Sequence, residues 1–218
     1  MPREANRPSP RQALERLREG NRRFEWGLLS HDGLMSQARR NELVTGQHPV
    51  AVVLGCSDSR VPVEMVFDQG LGDLFVIRVA GNIVAPSLIG SVEFAVEQFA
   101  TPLVVVLGHT QCGAVEATLQ ELRRPSEARS PNLHAIVDRI RPAVEDLLAA
   151  DLDPAALASA AMRANVRASV SQLRQGSETL QRRIREGDLL LVGAEYALET
   201  GVVEFFDDGS AGPGAAVT

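Results

Sequence analysis

"VAVVLGCSDSRVP", Val50 to Pro62, opens with an unbroken apolar, β-branched run and then sets a thiol, a carboxylate and a guanidinium at alternate positions, Cys56, Asp58 and Arg60. A continuous apolar run behind Pro49 reads as a strand covered on both faces, which is the situation of a strand inside a parallel sheet. The strand ends where the chemistry begins, so Cys56 leaves it at its carboxyl end. The same pattern recurs in "DLFVIRVAG" (73–81), "PLVVVLGH" (102–109) and "DLLLVGAEYAL" (188–198), with helical patterns between them. Strands that alternate with helices predict an α/β fold. We expect about four parallel strands in a single domain, flanked by helices on both faces, with "VVEFF" after Thr200-Gly201 as an antiparallel edge strand.

The helical signals are specific. Ser9, Pro10 and Gln12 form a capping box with proline at the first helical position, and Leu14, Leu17 and Phe24 follow at helical spacing, predicting a helix over about 10–25. Leu88, Val92, Ala95, Val96 and Phe99 form the stripe of a crossover helix. Asp153-Pro154 starts a long helix that Gly176 stops, and Ser177 starts a shorter one that Gly187 stops. The tail, residues 209–218, has the composition of a disordered segment.

Composition narrows the function. A net charge of −6 without a dense Lys/Arg block argues against a nucleic-acid or anionic-membrane surface, and leaves a small molecule as the expected partner. The start, "MPREANRPSP", lacks a signal peptide's apolar core, and no apolar run approaches the roughly 18 residues of a membrane span. The chain therefore reads as cytoplasmic. In that reducing setting its two cysteines are expected as metal ligands or core residues, not as a disulfide.

Placement favours the ligands. Buried free cysteines are common core residues and a lone histidine is usually just hydrogen-bonded, so the "HTQC" spacing of His109 and Cys112 alone would not decide the matter. But Cys56 and His109 both follow buried strands, at the edge where ligands gather in open parallel sheets, and Cys112 falls in the first turn of the next helix. His31, His48 and His134 lie in polar surroundings with no cysteine nearby. Two thiolates and one imidazole are the ligand count of a catalytic zinc site with its fourth position open.

"CSDSRVP" (56–62), "RVAGN" (78–82), "GHTQCGAV" (108–115) and "VGAEYALETGVVEF" (192–205) resemble the β-class carbonic anhydrases, and the match runs nearly end to end. The resemblance implies one Zn2+ per chain on Cys56, His109 and Cys112, with Asp58 and Arg60 as the catalytic dyad and reversible hydration of CO2 to bicarbonate. Zinc lowers the pKa of a bound water, Asp58 would orient the resulting hydroxide, and Arg60 would keep Asp58 ionised. It implies that Asp58 is a fourth metal ligand only in a closed, low-pH state. It further implies an obligate homodimer, often paired into tetramers, with residues 1–34 as a helical arm on the partner subunit and 35–208 as the zinc-binding catalytic domain. Gln47 would point its amide at bicarbonate, Phe75, Ala80 and Phe94 would line the CO2 pocket, and the Gly113 N–H would face the ligand. Members with a separate inhibitory bicarbonate pocket usually carry tryptophan where this chain has Val53. Arg78 and Tyr196 match that pocket's other partners, but the sole tryptophan here is Trp26, so no such pocket is expected. The rival readings are a carbonyl sulfide or carbon disulfide hydrolase on the same scaffold, and a non-catalytic zinc or redox-sensing module.

Overall fold

The computed structural model describes residues 7–30, 36–125 and 130–206. The five strands are β1 (Ala51–Gly55), β2 (Leu74–Arg78), β3 (Leu103–His109), β4 (Leu190–Tyr196) and β5 (Val203–Phe206), in the spatial order β2-β1-β3-β4-β5. The first four are parallel and β5 runs antiparallel to β4, as expected. Every residue of β1 and β3 is buried, which is why those segments show no alternation in the sequence.

Helices cover both faces of the sheet. On one side Ala51, Val53, Leu103 and Val105 pack with Leu14 and Leu17 of α1 (Pro10–Glu25) and with the short α3 (Val63–Val66); α2 is Gln37–Leu43. On the other, Val52, Leu54, Val104 and Val106 meet α4 (Pro86–Gln98), α7 (Pro154–Gln175) and Leu180 of α8 (Glu178–Glu186). A third apolar cluster forms beyond the carboxyl ends of the strands, where α5 (Gly113–Arg123) and α6 (Pro131–Val144) pack around Cys56 and Cys112. That cluster places the two thiols among apolar side chains.

The caps explain the helix limits. Ser9 Oγ accepts from Gln12 N while Gln12 Oε1 accepts from Ser9 N, at 3.3 and 2.8 Å. Asp153 Oδ1 takes the first two free N–H groups of α7, and Gly187 closes α8 in the left-handed region with φ 80°. Leu14 and Leu17 of α1 are in the core of their own chain, and Phe24, partly buried, has its ring 6.3 Å from that of Tyr196. Residues 1–6 and 31–34 of the expected arm, His31, and the 209–218 tail lie outside the described residues.

Candidate metal centre

Parallel pairing assembles the site. Gly55 of β1 stands opposite Leu107 of β3, so Cys56 leaves one strand and His109 closes the other at the same sheet edge. Cys112 is the cap of α5, three residues on. The ligand atoms of Cys56, His109 and Cys112 all lie within 4.8 Å of one another, and all three residues are buried. Gly108 keeps the approach close, because a Cβ there would stand 2.5 Å from Val166 and 2.7 Å from Met162 of α7.

The imidazole is aimed. His109 Nδ1 lies 2.8 Å from the Thr110 carbonyl, to which it donates, leaving the Nε2 lone pair free. Nε2 is buried and makes no well-formed hydrogen bond among the described residues, Cys56 being the group that acts most on the ring, a costly state that a Lewis acid between them would relieve. The thiols point the same way. Hydrogen bonds from Cys112, His109 and the Gly81 N–H bring the Cys56 thiol down to about 4. The bond to Cys56, then burial, pushes Cys112 up. Burial opposes the imidazolium of His109, but the hydrogen bond and charge of Cys56 outweigh it and raise its pKa. Two thiols this close resist double ionisation unless a divalent cation sits between them. The donor set therefore fits zinc.

Asp58 and Arg60 form a forked pair beside this cluster. Arg60 Nε and Nη2 donate to Asp58 Oδ1 and Oδ2 at 3.0 and 2.8 Å, and the Arg60 N–H also donates to Oδ1 at 2.9 Å. Asp58 Oδ2 is 3.9 Å from His109 Nε2. Arg60, by its side-chain hydrogen bonds, holds the Asp58 carboxyl far below the usual carboxylate range. A depressed folded pKa contributes stability that is complete above the unfolded value of about 4 and is lost as pH falls through the folded one. The difference in unfolding free energy between wild type and Asp58→Asn should therefore stay level from about pH 5 to 8 and shrink below about pH 4. A difference that grows on acidification would contradict this coupling.

Other expected residues divide into two groups. Ala80 lies next to Gly81, whose N–H donates to Cys56 Sγ at 3.4 Å, and Gly113 opens α5 beside Cys112. Gly81 has φ 71°, and a Cβ there would stand 2.9 Å from Ile140. Gln47, Phe75 and Phe94 are not brought to this site within the chain. Gln47 precedes β1, and Val50 N bonds Asp73 O at the sheet's opposite edge. Phe75 pairs with Val52 near the start of β2 and packs against Phe94 and Phe99, while Phe94 is 52% exposed.

Three supports escaped the sequence reading. Arg78 donates to the carbonyls of Cys56 and Asp58, at 3.0 and 2.5 Å, so it clamps the strand-end segment. Asn165 and Ser169 of α7 hold the Gly81 and Asn82 carbonyls at 2.8 and 3.0 Å, fixing the turn that bonds Cys56. The available signal was two polar residues, four apart, interrupting the apolar face of a helix. Val53 is fully buried and Tyr196 is packed against Phe24.

Fold and site together define a parallel α/β protein with a three-ligand Cys-His-Cys centre, compatible with zinc, at the carboxyl edge of its sheet. The carbonic anhydrase family profile matches residues 51–203. A carbonic anhydrase of Mycolicibacterium smegmatis is 40% identical over 196 residues, covering 90% of this chain and 93% of that protein. The β-carbonic anhydrase CafA of Aspergillus fumigatus superposes with a TM-score of 0.71 at 28% identity, over 80% of this chain and 82% of that one. A tetrameric β-carbonic anhydrase of Sordaria macrospora gives 0.67 at 26%, over 77% and 85%. The chain belongs to the carbonic anhydrase family, in its β class, and is an enzyme of that family.

Proposed function

We propose that this chain catalyses the reversible hydration of CO2 to bicarbonate, with one zinc ion held by Cys56, His109 and Cys112. The observation that carries the reading is the convergence of two buried thiols on an imidazole nitrogen that has no other partner among the described residues, beside a carboxylate held by arginine. When bound, zinc lowers the pKa of its water and supplies hydroxide near neutral pH. The Thr110 carbonyl fixes the tautomer of His109, so Nε2 stays a ligand. Asp58, ionised through neutral pH by Arg60, accepts a hydrogen bond from the attacking oxygen and orients its lone pair toward carbon. It acts as an orienter, because a carboxylate with so low a pKa is a poor base.

CO2 is apolar and needs a dry wall more than an ionic clamp. Ile83, Val115 and Leu119 share one apolar cluster with both thiols, and Ala80 beside Gly81 and Gly113 beside Cys112 flank the ligand segments, where the Gly113 N–H is assigned to the ligand in this reading. The closed acid state, with Asp58 as a fourth ligand, would require the fork to Arg60 to open; the bonds described here support the open form. Both cysteines are free thiols, which supports a cytoplasmic setting.

The remaining pocket residues act from a second copy in this reading. Gln47 stands at the far edge of its own sheet and Phe94 is exposed beside Phe75, so a neighbouring subunit is the means of bringing them to a site. A dimer, which could pair further, follows. Complementation tests it: mixing and reassembling Gln47→Ala with Cys56→Ser chains should give more activity than either parent, because one site of each hybrid is whole. No gain in verified hybrids would place Gln47 in its own chain's site or in none.

The substrate is tested by measuring CO2 hydration in a stopped-flow indicator assay beside hydrolysis of carbonyl sulfide and carbon disulfide. CO2 is expected to be turned over fastest by orders of magnitude. The reverse order would assign the chain to the hydrolases.

A further inference from the structure

We propose that Glu199, in the turn after β4, is a positioning residue that fixes the two-residue loop between His109 and Cys112; the inference rests on the metal-site reading above. Each carboxylate oxygen of Glu199 is used. Oε2 accepts from Thr110 Oγ1 at 2.9 Å and Oε1 accepts from Gln111 Nε2 at 2.7 Å. Thr110 and Gln111 are the only residues between the two ligands. Their backbone carbonyls do the aiming: Thr110 O receives His109 Nδ1 at 2.8 Å, and Gln111 O receives Arg60 Nη2 at 3.2 Å. One side chain thus holds both peptide units that set the imidazole tautomer and seat the arginine.

The loop needs an outside hold. Gln111 has φ 55°, in the left-handed region that a residue with a Cβ avoids unless its surroundings over-determine it. The Thr110 hydroxyl accepts from Leu198 N at 3.0 Å, so its own proton goes to Glu199. The turn itself is closed by Gly201 N to Ala197 O at 2.8 Å and Ala197 N to Val202 O at 2.9 Å, which anchors Glu199 to the sheet. Its own backbone N–H, then Thr110 and Gln111, lower the Glu199 pKa, so the acceptor stays ionised at neutral pH. Groups bonded directly to a ligand typically change metal affinity or activity by about 10- to 100-fold when removed, and Glu199, acting through Thr110 and Gln111, belongs at the lower end of that range.

The experiment uses the zinc-loaded enzyme and two variants, Glu199→Ala and Glu199→Gln, in the wild-type and in a Thr110→Val/Gln111→Ala background. Zinc release to an excess of a chromophoric chelator is measured beside kcat and KM. Glu199→Ala is expected to speed release and lower kcat by about tenfold each, with KM nearly unchanged. Glu199→Gln keeps one acceptor oxygen, enough for Gln111 or for the Thr110 proton but not for both, and should fall between, which keeps the test decisive if the alanine variant folds poorly. In the double-variant background Glu199→Ala should add nothing. Wild-type release and kcat in both Glu199 variants, or an equal further loss in that background, would overturn the inference alone. A wild-type chain without zinc would instead contradict the reading beneath it.

Discussion

Cys56→Ser, His109→Ala and Cys112→Ser are each expected to lose zinc and activity together, with hydration reduced by at least about 10³-fold. A serine hydroxyl does not ionise near neutral pH, so each cysteine change removes one of the two anions that would balance the metal's charge. The alanine change removes the neutral donor whose Nε2 makes no well-formed hydrogen bond among the described residues. The fold should survive, because Cys56 and Cys112 lie outside the strands, His109 is the last residue of β3, and the two main core clusters lie elsewhere. Zinc per chain by elemental analysis, beside a stopped-flow rate, checks this. Stoichiometric zinc with full activity in any of the three would remove that residue from the centre.

Arg60→Ala is expected to keep zinc and lose about 10²-fold in kcat. The guanidinium is half exposed and its hydrogen bonds go to Asp58 and the Gln111 carbonyl, so its loss should leave the thiols and the fold largely alone. What goes is the fork on Asp58 and the bond to the Gln111 carbonyl. Asp58 would keep only its backbone bond, and its pKa would climb back toward the ordinary carboxylate range. With the orienter loose, attack loses its aim while the metal stays. Zinc loss as severe as in the cysteine variants would show instead that Arg60 supports the metal loop structurally.

Features written locally in the chain were legible in advance. The capping box of α1, the proline-started α7, the unbroken apolar runs of β1 and β3 and the H-x-x-C spacing each depend on neighbours within a few residues. Parallel pairing then forces Cys56 toward His109. What could not be read is contact across long stretches of chain: Glu199 with Thr110 lies 89 residues away and Asn165 with Gly81 lies 84. Nothing in a glutamate within "ETG" marks it as a partner of a loop on another strand. The pocket residues Gln47, Phe75, Ala80, Phe94 and Gly113 came from resemblance, and only Ala80 and Gly113 lie beside the metal centre of their own chain. Helical spacing likewise shows that a face of α1 must be covered but not by which chain.

The central claim, that the Cys-His-Cys centre holds a zinc ion which hydrates CO2, is tested most directly by titrating zinc into chelated protein while following stopped-flow hydration. The account predicts activity that vanishes on chelation and returns in proportion to bound zinc, saturating at one ion per chain. Hydration that persists without metal, or a chain that binds zinc stoichiometrically and hydrates no CO2, would contradict it.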